Sequence, residues 1–194
     1  MRTQLLSATF VAILSIGCQM ESATGPYPTP DETTGSPAAP APEVAAPASG
    51  LTPEKVNLVV GDEKKLAEMI AAHKGKVVFV DYWATWCEPC VEYFPHTVEM
   101  HRKYKDQGLA TIAVSFDEPE EEATAREFLA RQGADFENLL NAYGNGTEAQ
   151  NAFDLEVVPH FRLYNQQGEL VQKWDNKPPD ADKLIEQLLA EKAE

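Results

Sequence analysis

The sequence predicts an α/β fold in which a central mixed sheet is flanked by helices on both faces. Three observations predict it. Residues 77–82 and 109–116 are near-continuous apolar runs, the mark of strands buried on both faces. Helical patterns alternate with them and stop at Gly75, Gly108 and Gly133. Near the C-terminus, strand-like residues 161–164 and 170–174 are joined by a polar turn at 165–168, which signals an antiparallel hairpin.

The elements follow in order. Residues 56–60 form a short apolar strand candidate. Asp62 then caps a helix reaching His73, with Leu66, Met69 and Ile70 on one face. After strand 77–82 a helical pattern runs from about Glu88 to Gln107, and Gly108 stops it. Beyond strand 109–116, residues 118–132 predict a helix with Glu120, Glu121 and Glu122 in its first turn, where the macrodipole favours acids. A short apolar piece at 136–140 precedes the turn Gly144-Asn145-Gly146, and residues 147–153 read as a short helix. After the hairpin, residues 181–192 close the chain as an amphipathic helix.

A chain of 194 residues accommodates one ordinary domain with appendages. Its net charge of -15 argues against nucleic acid, whose phosphates need a basic surface. The acidity otherwise serves solubility, or a preference for cationic partners.

Residues 1–17 read as a signal peptide, with Arg2 ahead of an apolar or small-residue stretch at 5–17 that is too short to span a bilayer. The segment Leu14-Ser15-Ile16-Gly17-Cys18 resembles a bacterial lipobox; Gly17 fits that pattern and Ser15 departs from it. The resemblance implies that Cys18 is the lipidated first residue of the mature protein, an ordinary cleaved signal being the alternative. Residues 18–50 then form a Pro/Ala-rich flexible tether, since seven of the chain's fourteen prolines fall within 21–50 and few apolar side chains offset the entropy of ordering it. The folded domain is expected over 51–194.

Cys87 and Cys90 form a lone C-x-x-C directly after a buried strand, at the start of a helix. Free N–H groups and the macrodipole at such a position stabilise a thiolate on the first cysteine, which makes Cys87 the candidate nucleophile. Cys90, one turn further on, can attack a mixed disulfide and release the partner. Pro89 suits the first turn, where no N–H partner is lost. A zinc site would need two more ligands at metal spacing, and His96 and His101 are poor substitutes, so no metal is expected. The four histidines read as surface or half-buried residues. Glu88 either tunes the thiolate or is a solvated first-turn acid.

The segment Val80-Asp81-Tyr82-Trp83-Ala84-Thr85-Trp86-Cys87-Glu88-Pro89-Cys90 resembles the active-site strand and turn of the thioredoxin-like superfamily, closest to its TlpA/ResA-like extracytoplasmic branch. The resemblance covers most of residues 55–192 and implies the thioredoxin fold. It makes Pro95 the proline that kinks the active-site helix, and Val157-Val158-Pro159 the cis-proline loop along which a substrate backbone adds like a strand. It matches Asp81 to the buried aspartate of thioredoxin, with a raised pKa that lets it take a proton from Cys90; a purely structural strand residue is the alternative. Trp83 and Trp86 are packing and shielding residues, and His160 departs from the family's common threonine. The implied substrate-binding surface is Trp86, Glu88, Pro89, Val158 and Pro159.

The function implied is a membrane-tethered, extracytoplasmic thiol–disulfide oxidoreductase without a cofactor, reducing disulfides of exported proteins as in cytochrome c maturation. Its partners would be proteins with disulfides or thiols, a membrane electron donor or acceptor, and the membrane itself through the lipid. Two other readings stand beside it: a disulfide-forming oxidase, suited to an oxidising compartment, and a non-catalytic thioredoxin-fold binding module. A peroxiredoxin-like activity lacks its Thr-x-x-Cys context.

Overall fold

The structure is a computed structural model that describes residues 50–191; the expected signal peptide, Cys18 and nearly all of the tether lie outside them. Its elements are β1 (Leu58–Gly61), α1 (Glu63–Ala72), β2 (Val77–Trp83), α2 (Glu88–Tyr104), β3 (Leu109–Ser115), α3 (Glu122–Gln132), β4 (Glu137–Asn141), α4 (Thr147–Phe153), β5 (His160–Tyr164), β6 (Leu170–Asp175) and α5 (Ala181–Ala190). Among the described residues no helix is long and apolar enough to cross a membrane.

The strands form a six-stranded sheet in the order β1-β4-β3-β2-β5-β6. The pairs from β1 to β2 are parallel. β5 joins β2 antiparallel, and β6 joins β5 antiparallel as the expected hairpin. The sheet is therefore mixed, as its alternation of long crossovers and one tight turn requires.

Side chains alternate along β2 with the period of a strand. Asp81 and Trp83 meet Thr97 and Phe94 of α2 on one face. Tyr82 meets Phe153 of α4 on the other. All seven residues of β2 are buried, which is why this segment reads as a near-continuous apolar run broken only by Asp81. A second apolar cluster joins Val77 and Phe79 to Met100 and Tyr104 of α2, to Phe161 and Leu163 of β5, and to Ile185 of α5.

The caps explain the boundaries. Asp62 accepts the Lys65 amide at 2.9 Å and starts α1. Gly108 and Gly133 end their helices in the left-handed region, at φ 110° and 71°, where a side chain would be strained. The helix expected from residue 118 is divided: a 3-10 turn at Pro119–Glu121 precedes α3. The first strand begins two residues later than expected, because Val56 is buried beyond the end of the ladder and follows a 3-10 turn at Pro53–Lys55.

Candidate active site

The topology brings three loops to one edge of the sheet. The C-terminal ends of the parallel strands β2, β3 and β4 point that way. Antiparallel β5 starts there, with His160 opposite Tyr82. The carboxyl ends of strands are where α/β folds place their ligands.

The first loop runs from Trp83 into α2. Cys87 is the N-cap of this 17-residue helix, Glu88 and Pro89 open its first turn, and Pro95 lies within it. Cys87 and Cys90 are joined as a disulfide with their Cα atoms 5.2 Å apart. The Cys87 amide donates to the Ala84 carbonyl at 3.2 Å, which closes the turn just ahead of the helix. Both cysteines are largely buried, whereas Trp86 beside them is 55% exposed. Trp83 differs from Trp86: it is fully buried, stacked on Phe128 with ring centroids 4.5 Å apart and packed on Phe94.

The second loop leads to β5 through a cis peptide bond between Val158 and Pro159. Its exposed Val157, with Val158, Leu155 and Glu156, faces Trp86, Phe116 and Asn145 across a hollow of about 130 Å³. Four residues of that hollow's wall, Gln150, Leu155, Glu156 and Val157, also line a neighbouring hollow of about 430 Å³. The cis-proline loop thus borders both hollows, with Trp86 lining the smaller and Lys173 and Asp175 the larger.

The third loop ends β3, and it holds a residue that the sequence does not advertise. The fully buried Asp117 carboxylate accepts the Thr85 amide at 2.9 Å and the Thr85 hydroxyl at 2.6 Å. It also accepts the Ser115 hydroxyl at 2.6 Å. The Phe116 amide donates to the Trp83 carbonyl at 2.8 Å, so residues 83–85 are tied to the end of β3 at three points.

Asp81 lies beneath α2, 2% exposed, and accepts the Thr97 hydroxyl at 2.6 Å. Burial raises its pKa from the ordinary 3.8 to about 7, and the Thr97 hydrogen bond opposes that rise only in part. A carboxyl group in this state can exchange a proton near neutral pH.

His160 and His101 are buried rather than at the surface; His73 and His96 are half-buried. His73 pairs with Glu137, and His96 with Asp182 at 3.1 Å. Among the described residues no group of three or more His, Cys, Asp or Glu side chains could hold a metal ion. Of the expected site residues, Cys87, Cys90, Trp86, Glu88 and Pro89 share one turn, Val158 and Pro159 line the facing loop, and Asp81 sits on the strand behind them.

These features describe a thioredoxin-fold protein with a disulfide at the carboxyl-terminal edge of its parallel strands. A family model for AhpC/TSA proteins matches residues 38–173, and the chain belongs to that family. It is 32% identical over 119 residues to the thiol-disulfide oxidoreductase ResA of Halalkalibacterium halodurans, covering 61% of this chain and 65% of that one. ResA of Bacillus subtilis is 29% identical over 116 residues, covering 60% of this chain and 62% of that one. The chain thus spans slightly less than two thirds of the length of these curated relatives. A solved structure of a thioredoxin family thiol:disulfide interchange protein from Chlorobium tepidum superposes with a TM-score of 0.51 at 20% identity. It covers 62% of this chain and 84% of that one, and the likeness bears on the fold alone.

Proposed function

We propose that this chain is an extracytoplasmic thiol–disulfide oxidoreductase that reduces disulfides of exported proteins through Cys87 and Cys90. The observation that carries the proposal is the Cys87–Cys90 disulfide at the N-cap of a long helix, at the same edge of the sheet as a cis-proline loop whose Val157 and Val158 share a hollow with Trp86. The helix N-terminus lowers the cost of a thiolate at Cys87. The relatives named as thiol-disulfide oxidoreductases support the same reaction class.

In the reduced protein the Cys87 thiolate attacks one sulfur of a substrate disulfide. A Cys87–substrate disulfide forms, the substrate S–S bond breaks, and the first substrate thiolate leaves. Cys90 gives its proton to Asp81 and attacks Cys87 Sγ. The Cys87–Cys90 bond forms and the second substrate thiolate departs, taking up a proton. Two electrons have passed to the substrate, and a dithiol donor must return them. Trp86, Glu88, Pro89, Val158 and Pro159 form the surface on which the substrate chain rests.

The reading of residues 1–17 as a signal peptide supports an extracytoplasmic site of action, and Cys18 with the Pro/Ala-rich segment supports a lipid tether. A membrane dithiol protein as electron donor, and exported proteins such as apocytochromes c as acceptors, follow from the TlpA/ResA resemblance. The test is reduction of insulin disulfides under dithiothreitol. The purified protein should accelerate it and the Cys87→Ser variant should not; no acceleration by the unaltered protein would overturn the proposal.

A further inference from the structure

The residue after the cis-proline is His160, 4% exposed, at the first position of β5. Its ring is held at both nitrogens. Nδ1 lies 2.8 Å from Asp175 Oδ1 on the adjacent strand, and Nε2 accepts from Arg162 Nε at 3.1 Å. The guanidinium of Arg162 always carries its protons, so its partner nitrogen must be bare. The ring is therefore the neutral imidazole with its single proton on Nδ1, donated to Asp175.

Arg162 extends the chain of contacts. Its terminal nitrogen donates to the Phe153 carbonyl at 2.6 Å and the Asp154 carbonyl at 2.7 Å, at the C-terminal end of α4. The Asn176 amide, next to Asp175, donates to the Pro159 carbonyl at 2.9 Å. The loop 155–159 thus leaves α4 at carbonyls gripped by Arg162 and enters β5 at a residue gripped by Asp175 and Arg162. Both ends of the loop are fixed by one network, and His160 is its central link.

We infer that His160 is a positioning residue for the cis-proline loop, and that it acts on substrate affinity rather than on the redox chemistry of the cysteines. The inference rests on the proposed reading for the substrate that uses the loop. The loop forms a wall common to two hollows, one lined by Trp86 and the other by His160, Lys173 and Asp175. A substrate strand laid along this wall needs it held in one place before binding, because loop ordering on binding would cost affinity.

The groups facing the ring bear on its protonation. Burial pushes its pKa below the ordinary value of 6.5; hydrogen bonding to Asp175 opposes this, while Arg162 and Lys173 favour the neutral ring. Tyr82 of β2 adds an aromatic edge contact with centroids 5.4 Å apart, and Asp154 at the end of α4 pairs with Lys173 at 2.9 Å. A proton on Nε2 would point an N–H at the Arg162 N–H and break the link to α4. Substrate affinity should weaken as pH falls below the range where the ring is neutral.

Four measurements on the purified protein and its variants test the inference. Ring nitrogen chemical shifts should show His160 protonated at Nδ1 and bare at Nε2 at pH 7; an imidazolium or the opposite tautomer would overturn it. In insulin reduction, His160→Phe should raise KM by about fivefold or more with kcat nearly unchanged. The equilibrium constant of the cysteine pair with glutathione should stay within about twofold. His160→Gln, which can still accept from Arg162, should recover most of the loss. An unchanged KM, or a change in the glutathione equilibrium as large as that in KM, would overturn the inference. Should the unaltered protein reduce no insulin, the oxidoreductase proposal fails by itself. The inference is then judged on amide exchange at residues 155–158, expected to be at least about tenfold faster in His160→Phe and overturned by equal rates.

Discussion

Asp117 grips Thr85 with one carboxylate oxygen, which accepts both its amide at 2.9 Å and its hydroxyl at 2.6 Å. Thr85 stands two residues before Cys87, so the end of β3 dictates how the chain enters α2. Replacing Asp117 by Ala would leave the Thr85 amide and the Ser115 hydroxyl without this acceptor. Asp117→Ala is expected to cost about 2–4 kcal/mol of stability, and Asp117→Asn, which keeps an acceptor, less than half of that. Urea unfolding of the oxidised protein measures both; equal losses would show that the acceptor oxygen is not what matters.

Asp81 gives a pH dependence whose sign is fixed by burial. Its folded-state pKa is raised from 3.8 to about 7, so the folded state holds the proton more tightly than the unfolded chain. The stability this contributes is fully present below 3.8 and is lost as pH rises to about 7. The interval is worth at most about 4 kcal/mol. Asp81→Asn should therefore match the unaltered protein near pH 4 and exceed it in stability at pH 8. The same variant should resolve a Cys87 mixed disulfide at least about tenfold more slowly, as the proposed role of Asp81 as proton acceptor for Cys90 requires. Parallel stability curves for the two proteins would contradict the assignment.

Trp86 separates binding from folding. It is 55% exposed and lines the smaller hollow, so Trp86→Ala should change stability by no more than about 0.5 kcal/mol. It should raise KM for a protein disulfide severalfold, because exposed tryptophans beside a hollow are efficient anchors. A large drop in melting temperature would instead assign Trp86 to packing, the role that buried Trp83 fills.

The cysteines have separate expected parts. Cys90→Ser should accumulate disulfide-linked complexes with client proteins through Cys87, released by added thiol. Cys87→Ser should accumulate none. Non-reducing gels of the two variants check this, and trapping through Cys90 would reverse the assignment.

Much of this was readable before any coordinates, for identifiable reasons. β2 and β3 are buried along their whole length and leave near-continuous apolar runs. Gly108, Gly133 and Asp62 mark helix ends through local backbone chemistry. The C-x-x-C is legible because its chemistry is concentrated in a few adjacent residues, whereas the cis-proline role of Pro159 is legible only through the family resemblance, since its own residues read as no more than a strand start. Asp117 and the His160–Arg162–Asp175 network are not, because each depends on partners across the sheet: Thr85 and Asp117 are 32 positions apart, and His160 and Asp175 are 15. No local pattern announces such pairs. Val56 misled in the opposite direction, since an apolar residue can be buried without belonging to a strand.

The reduction potential of the Cys87–Cys90 pair, equilibrated against defined thiol buffers, tests the central claim most directly. A reductase is expected to lie near thioredoxin's value of about -270 mV or moderately above it. A potential near the roughly -120 mV of the strong oxidant DsbA would contradict it, making the protein a donor of disulfides on the same fold and with the same pair of cysteines.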